Sequence, residues 1–551
     1  MMSNGSSIML ETQTQKTTVS DLLGRYTPVP PMRIARFFSQ KKVGLCVLLI
    51  LLVHLAVRLW GYSGIHDMDE LAYSEAASRL LAGQYIDTNP YSLRYMVIVP
   101  LALTQMLFGI NEYACAVTPM IYSLVCLGLI YLVGKTYVSQ KVGLLAAALW
   151  AIFPLDVIQA TELHLDVPMT AFHALCVYAL VRGEQSSGPG RWVLFTLAGV
   201  ALGLAHLAKE VGLVLLVFLT IRAIWKRAWH SEYLFALIGF FAVVGMETAW
   251  YGILTGDPLY RFSDSVWGHH RHVMHTGMDH SFMWMYEYAE MLADPLSSRA
   301  VYFGGFFLPV LAGTVWGWYV RDRAVMELSF WWMSILVVFN FAPLDQTFQQ
   351  ALFPHWPRTL HPIFMPGLVI VAHLIVQCLS SRPLIVTAFV CFLSVALLSV
   401  WLCRLENRQF AESARQTFVF AKSLPRGVTI VTDPLLVRQL RFYYRFQDGN
   451  VMDFPEATER PDSRPTLWVY DTFSLSWTMR YWGKPKGGAP PPPDCPMVQL
   501  STDVVPAFAR TLISVSSMIV RGADRVLRRW DREPVKLFVC VPEAWQAKEV
   551  Q

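Results

Sequence analysis

Residues 43–73 read VGLCVLLILLVHLAVRLWGYSGIHDMDELAY, a long apolar run followed by a cluster of charged side chains. An apolar segment of roughly 20 residues crosses a hydrocarbon core of about 30 Å, so the run predicts a membrane helix. Asp67, Asp69 and Glu70 then crowd together, and carboxylates at a membrane boundary are typical of sites that hold a cation, a substrate or an acceptor hydroxyl. The alternative is a solvated first helical turn in which Asp69 is the N-cap.

The composition of the whole chain agrees with a membrane protein. Of its 551 residues 54% are hydrophobic and only 15% are charged, and its mean hydropathy is +0.39. These values predict a polytopic α-helical membrane protein with about eleven spans. We place the spans at residues 43–60, 113–134, 140–158, 167–182, 192–208, 211–226, 233–253, 301–320, 326–342, 361–379 and 383–402.

The orientation follows from the Lys and Arg residues of the short loops, which favour the cytoplasmic side of a membrane. Alternating spans place five basic clusters on the side of the N-terminus: Arg33 to Lys42, Arg182, Lys226 with Arg227, Arg321 with Arg323, and Arg382. We therefore expect a cytoplasmic N-terminus, and the acidic cluster at Asp69 then lies outside. The default location is a plasma (inner) membrane.

Three domains are expected. Residues 1–42 are predicted to be a disordered cytoplasmic tail, 43–402 a transmembrane domain, and 403–551 an extracytoplasmic α/β domain with strands at 427–432, 465–470 and 535–540 and a helix at 434–446. Cys495 and Cys540 can form a disulfide in an oxidising compartment, whereas the other cysteines are typical of apolar filler.

The apolar stretch Tyr95 to Ile110 is interpreted as an interfacial helix, because a further span there would invert every later basic loop. An amphipathic segment, Glu70 to Leu81, precedes it. The net charge of +5 is small for this length, and no feature indicates nucleic acid.

Three further polar clusters fall on the same outer face. They contain Glu162, His164 and Asp166, then Lys209 with Glu210, and then Arg358 with His361. Each has a structural explanation: Asp166 as an N-cap, Lys209 in a tight hairpin, and Arg358 reaching towards headgroups. Four clusters on one face, however, indicate a shared outer cavity.

The loop at about 254–300 leaves two interpretations open. Its five histidines, His269 to His280, with Asp264 and Asp279, suggest a zinc site, but they lack an HExxH spacing. The alternative is an interfacial lid rich in aromatic residues.

The order of these motifs resembles the GT-C superfamily over residues 43–380. The resemblance rests on Asp69-Glu70 with Tyr73, Leu107 to Glu112, Pro154, Asp166, Lys209 and Arg358, taken in that order. The pattern is similar to the glycosyltransferase 39 type, the branch of protein O-mannosyltransferases and lipid A aminoarabinose transferases.

The resemblance implies transfer of a sugar from a polyprenyl-phosphate donor to a lipid, glycan or protein acceptor outside the cytoplasm. It assigns Asp69 and Asp166 as catalytic carboxylates, with Asp69 as the base. The substrate-binding residues would be Glu70, Tyr73, Arg94, Glu162, Lys209, Arg358 and His361, of which Lys209 and Arg358 would bind the donor phosphate. Arg94 stands where aminoarabinose transferases carry an acidic-basic pair, which argues against lipid A as the acceptor.

Asp67 and Asp69 also form a DxD pair, the spacing with which some members of the superfamily hold Mg²⁺ or Mn²⁺. No cofactor is expected by default, since the transferases with the nearest pattern do not generally need one. The alternative function is a secondary transporter with an outward-facing charged cavity, against which stand the lack of paired repeats and the large outer domain.

Overall fold

The computed structural model describes residues 40–65, 68–84, 93–227, 231–262, 284–294, 297–342, 356–379, 382–424, 427–446, 450–454, 465–476, 494–501, 505–520, 523–530 and 532–540. The chain divides into two compact units, residues 1–49 and residues 50–551. Within the first unit the described residues, 40–49, are helical. The rest of the predicted tail lies outside the described residues.

Helices make up most of the described chain. They are α1 (Gln40–Gly61), α2 (Met68–Leu81), α3 (Tyr95–Phe108), α4 (Glu112–Tyr137), α5 (Gln140–Ile152), α6 (Pro154–Gln159), α7 (Asp166–Gln185), α8 (Gly190–Ala208), α9 (Leu215–Lys226), α10 (Tyr233–Thr255), α11 (Trp284–Ala293), α12 (Phe307–Tyr319), α13 (Arg323–Phe341), α14 (His361–Cys378), α15 (Arg382–Lys422), α16 (Pro434–Tyr443), α17 (Ala507–Ser516) and α18 (Ala523–Trp530).

Seven helices of the described ranges are long and apolar enough to cross a membrane: Lys42–Gly61, Glu112–Tyr137, Gly190–Ala208, Tyr233–Thr255, Arg323–Phe341, Pro357–Cys378 and Pro383–Gln409. The multi-pass membrane class is thereby confirmed, whereas the count of eleven spans is not and stays a prediction. The predicted span 140–158 shows why the count is difficult. It is broken at Phe153, because Pro154 begins a new short helix.

Helix α7 separates two polar ends of the helical bundle. It starts at Asp166 and runs for 20 residues, about 30 Å along its axis. Near its far end, Glu184 accepts a hydrogen bond of 2.6 Å from Arg222. Lys226 makes an ion pair of 2.7 Å with Glu327 in the same network. The residues that predict a cytoplasmic side therefore lie a membrane thickness away from Asp166, and the orientation itself stays a prediction.

Helix α15 joins the bundle to a sheet. It is a single helix of 41 residues that passes residue 403, the expected domain boundary, without a break and ends at Lys422. The polar residues after its apolar span continue the helix, and buried Ala414 and Ala421 pack against Leu436 and Leu440 of α16 in the core of the sheet region. The end of the apolar composition is therefore not the end of the helix.

The sheet has five strands in the order β2-β1-β3-β5-β4. The strands are β1 (Thr429–Thr432), β2 (Val451–Asp453), β3 (Thr466–Tyr470), β4 (Met497–Leu500) and β5 (Val535–Cys540). β1 is parallel to β2 and β3, and β5 is antiparallel to β3 and β4. The structure contains all three predicted strands and the predicted helix, and it joins Cys495 to Cys540 as a disulfide with a Cα–Cα distance of 5.4 Å.

A polar contact and an apolar contact join the sheet region to the helices of the site. Arg415 Nη2 lies 3.0 Å from both carboxylate oxygens of Glu112, at the start of α4. Gly64 lies against this pair with φ +92°, and a Cβ there would come within 2.5 Å of the guanidinium, so the position requires glycine. Phe442 of α16 shares a buried cluster with Leu71 of α2. The sheet region therefore rests on the helix that carries Asp69.

Candidate functional site

The first element of the site is an ion pair between Asp69, in the first turn of α2, and Arg358, in the short 3-10 helix Pro357–Leu360. Arg358 Nη2 lies 2.9 Å from Asp69 Oδ2, and the two side chains keep 14% and 23% of their surface exposed. The guanidinium lies over the Trp356 ring, 4.1 Å from its centroid. The pair is therefore well positioned but accessible, as residues that contact a substrate must be.

His164 supports Arg358 from behind. Its Nδ1 lies 2.9 Å from Arg358 Nη1, and its Nε2 lies 3.0 Å from Glu162 Oε2. A guanidinium can only donate, so Nδ1 must accept and Nε2 carries the proton that it donates to Glu162. Asn407 of α15 donates to the other oxygen of Glu162. The hydrogen bonds that connect Asn407 to Arg358 through Glu162 and His164 thus fix the plane of the guanidinium.

Lys209 and Asp166 form the second element. Lys209 follows the last residue of α8, and its Nζ lies 2.7 Å from Asp166 Oδ1, at the start of α7. Burial lowers the pKa of Lys209, the attraction of Asp166 opposes this shift, and the positive charges of Arg358 and Arg94 lower it further. These charges act on one another, so the structure brings Lys209, Arg358 and Arg94 into one charged region, in which each cation is paired with a carboxylate. Asp166 is almost fully buried and holds Lys209 in place.

Arg94 lies at the edge of this region, just before α3. It makes an ion pair with Glu210, which also accepts a hydrogen bond of 3.0 Å from Arg261 Nε. Arg261 is buried and pairs in addition with Glu247, a carboxylate inside the apolar helix α10. Burial lowers the pKa of Arg94 to about 10. The side chain of Arg261 is enclosed, whereas Arg94 remains partly accessible.

Glu70 and Tyr73 take structural positions next to the site. Glu70 is buried, and its Oε1 accepts a hydrogen bond of 2.8 Å from the backbone N–H of Leu163. It thereby fixes the segment that carries Glu162 and His164. Tyr73 is also buried and makes a side-chain hydrogen bond with Arg94. Both residues lie beside the predicted site. Their contacts orient other protein groups, so their role there is structural.

His361 is enclosed by protein partners, unlike Asp69 and Arg358. It is fully buried, with Thr170 Oγ1 2.7 Å from its Nδ1 and Asp156 Oδ1 2.9 Å from its Nε2. Asp156 also pairs with Arg58 of α1, which donates to the carbonyl of Ala151 at 2.9 Å. The predicted substrate contact is thus a member of a closed network, because each ring nitrogen already has a protein partner.

The metal hypotheses fall largely outside the described residues. Asp67 is one of the undescribed residues, as are the five histidines of the loop at 254–300, so neither the DxD pair nor the zinc interpretation is tested. Among the residues that the structure does describe, no group of three or more His, Cys, Asp or Glu side chains is arranged to hold a metal ion.

Sequence reasoning did not select Arg58, Asp156, Glu247, Arg261 or Asn407. A usable signal was present for Arg58 and Glu247, since each is an ionisable residue inside an apolar run and such residues normally have an intramembrane partner. Asn407 carried no signal, because an Asn in a polar helical segment is ordinary.

Two sequence comparisons match parts of this chain. Residues 95–251 match the family model described as dolichyl-phosphate-mannose-protein mannosyltransferase. This stretch includes Asp166 and Lys209 but not Asp69 or Arg358. A stretch of 156 residues is 28% identical to the undecaprenyl phosphate-alpha-4-amino-4-deoxy-L-arabinose arabinosyl transferase of Pseudomonas savastanoi pv. phaseolicola, and it covers 27% of this chain and 29% of that relative.

The structure is similar to that of ArnT from Cupriavidus metallidurans. The apo crystal structure matches with a TM-score of 0.54 at 15% identity, over 78% of this chain and 94% of ArnT. The crystal structure bound to undecaprenyl phosphate matches with a TM-score of 0.55 at 14% identity, over 89% and 97%. The comparisons confirm the resemblance to GT-C glycosyltransferases and the GT-C fold of this chain. They do not support the alternative of a secondary transporter.

Proposed function

We propose that this chain is an integral membrane glycosyltransferase that moves a sugar from a polyprenyl-phosphate donor to an acceptor at the extracytoplasmic face. The observation that carries the proposal is the meeting of an accessible carboxylate, Asp69, with the cations Arg358 and Lys209 at one end of the helical bundle. A lipid-linked donor is supported by the name of the Pseudomonas relative, in which the words undecaprenyl phosphate occur.

The cations have the chemistry to bind the donor phosphate. The phosphate oxygens of the donor accept hydrogen bonds from Arg358, whose planar fork suits two oxygens, and from Lys209 as a point charge. Nη2 of Arg358 now contacts Asp69, so a phosphate that binds this nitrogen competes with the carboxylate. Donor binding therefore detaches Asp69 from its cation at the moment when a base is needed.

The reaction that follows is a direct displacement. The acceptor oxygen attacks the anomeric carbon, the bond from this carbon to the phosphate oxygen breaks, and the electron pair stays on the phosphate. Arg358 and Lys209 stabilise this charge, while Asp69 takes the proton of the acceptor hydroxyl. Attack opposite the leaving group inverts the anomeric centre.

Asp166 has a different role from Asp69. It is buried and paired with Lys209 at 2.7 Å, so it keeps the ammonium charged and aimed at the phosphate. Arg94 adds a further positive charge at the edge of the same region, where its pairing with Glu210 leaves it partly accessible.

The acceptor is a hydroxyl of a lipid, glycan or protein. The enzyme lies in the plasma (inner) membrane, and its N-terminus is cytoplasmic.

The test compares Asp69→Asn with Glu75→Gln in purified protein, using a panel of undecaprenyl-phosphate sugars and a membrane extract as the acceptor source. Glu75 is a matched control, because it lies on the same helix and forms only a surface ion pair with Arg79. We expect turnover of Asp69→Asn to fall about 100-fold or more without any loss of donor affinity, since the asparagine competes less with the phosphate for Arg358. Full turnover in Asp69→Asn would remove the catalytic assignment.

A chelation experiment addresses the metal hypothesis. The displacement above needs no metal, so EDTA is expected to leave wild-type turnover unchanged. If EDTA abolishes turnover and Mg²⁺ or Mn²⁺ restores it, Asp67 and Asp69 become candidate ligands, and Asp67→Asn must then impair turnover as strongly as Asp69→Asn.

A further inference from the structure

Helix α17 and the turn after it carry apolar side chains that face outward. Phe508, Val515, Met518 and Ile519 keep 70%, 63%, 87% and 67% of their surface exposed. Phe508 and Val515 are seven residues apart and therefore share one face of the helix. A contiguous apolar patch on a protein surface marks a site of interaction with a protein or a membrane.

The position of α17 indicates whether its apolar patch contacts a protein or a membrane. On its inner side, buried Ala509 packs with Leu405 of α15. The exposed ring of Phe508 also lies beside α15, 6.2 Å from the Trp401 ring. Trp401 and Leu405 belong to the final turns of the membrane-spanning part of α15, Pro383–Gln409. The exposed patch of α17 therefore lies beside the end of a membrane helix.

The level of the patch relative to the bilayer can be estimated along α15. Val395 and Leu398 are exposed apolar residues of the span, so lipid covers them when α15 crosses a bilayer. Leu398 precedes Trp401 by three residues, about 4.5 Å along the axis. Interfacial helices bury their apolar face in a boundary layer of about 5–10 Å, and Trp is enriched there. Phe508, at the level of Trp401, thus falls within this layer.

The two helices that pack against α17 carry exposed guanidinium groups that suit lipid headgroups. Arg528 of α18 is exposed and pairs with Asp524 at the surface, and Arg408 of α15 is partly exposed and lies 3.9 Å from Glu412. Surface ion pairs contribute little to stability, so these guanidinium groups can exchange their carboxylate partners for lipid phosphates.

We propose that α17 and the turn to Ile519 lie in the headgroup layer of the bilayer leaflet on the side of the candidate site. The side follows from Asn407, which lies at the same end of α15 and binds Glu162. Lipid is favoured over a second copy of the chain as the occupant, because the patch continues the lipid-facing surface of α15. This anchor holds the sheet region against the membrane, and hence α16 against α2. The proposal does not depend on the reaction.

Photo-crosslinking of the full chain in lipid nanodiscs tests this proposal. A benzoylphenylalanine is placed at position 515, and in a matched control at position 517, which is an exposed serine two residues further on and therefore on the opposite side of α17 from Phe508 and Val515. Both positions are at the surface, so neither change disturbs the core.

We expect lipid adducts in the mass spectrum at position 515 to exceed those at position 517 about five-fold or more, as for a helix with one face in the boundary layer. Equal adducts at both positions would overturn the proposal. A crosslinked dimer from position 515 in place of lipid adducts would also overturn it, by assigning the patch to a second copy of the chain.

Discussion

His164→Ala is expected to weaken the binding of a polyprenyl phosphate without removing any group that contacts it. The variant deletes Nδ1, the acceptor 2.9 Å from Arg358 Nη1, and leaves the guanidinium with its Asp69 contact and the Trp356 ring. A hydrogen bond to a charged group is worth about 1.5 to 3 kcal/mol. At 1.4 kcal/mol per factor of ten, the affinity should fall about 10- to 150-fold.

His164→Asn is the matched variant, because the Asn side-chain oxygen takes roughly the place of Nδ1 and can accept from Arg358. We expect its affinity to stay within about three-fold of the wild type, since the acceptor of the charge-assisted bond is retained. The assay is calorimetric titration of undecaprenyl phosphate into purified protein in nanodiscs. Unfolding of each variant is measured in parallel.

Two outcomes would refute the reasoning on His164. If alanine and asparagine weaken binding equally, the acceptor atom is irrelevant and the ring acts by packing. If neither variant changes the affinity, the orientation of Arg358 by Glu162 and His164 has no effect on the phosphate.

Three further predictions follow from the same contacts. Arg358→Lys should bind undecaprenyl phosphate almost as weakly as Arg358→Ala, because an ammonium cannot replace a guanidinium whose Nη1 and Nη2 have different partners. Near-wild-type affinity of the lysine variant in the titration would contradict this. Arg58→Met should lower the free energy of unfolding by about 3 to 5 kcal/mol in detergent titrations followed by tryptophan fluorescence, because Asp156 is left as a buried charge, and adding Asp156→Asn should recover most of the loss. Because its pKa is lowered, Lys209 loses its positive charge at a lower pH than an ordinary lysine does, so the affinity for undecaprenyl phosphate should fall on the alkaline side. Lys209→Arg should keep its affinity at the same alkaline pH. Parallel pH profiles of the two proteins would count against the role of Lys209.

Much of the local structure could be predicted from the sequence. The apolar stretch at 95–110 forms a helix of 14 residues, Tyr95–Phe108, which is shorter than a span requires. The strands at Thr429–Thr432 and Val535–Cys540 fall within the predicted segments. These features depend on hydrophobic period and segment length, which a short window of sequence contains.

The site was predictable in part. The sequence selected Asp69, Asp166, Lys209 and Arg358, and the structure brings all four into one region. It could not separate them from His361, a residue of the same polar cluster, whose ring is enclosed between Thr170 and Asp156. Side chains in one cluster differ in role according to the direction in which each projects, and a motif does not state that direction.

The sequence by itself determined that this chain is a multi-pass membrane protein and where many of its helices and three of its five strands lie, because hydrophobicity and its period act over a few turns of chain. Only the tertiary structure decided which charge pairs with which. Arg358 and Asp69 are separated by 289 residues and Asn407 and Glu162 by 245, yet both pairs are in hydrogen-bond contact. Burial and pairing depend on the packing of distant helices, so accessible Asp69 and buried Asp166, two carboxylates of the same chemistry, differ in role for reasons that lie outside their own segments.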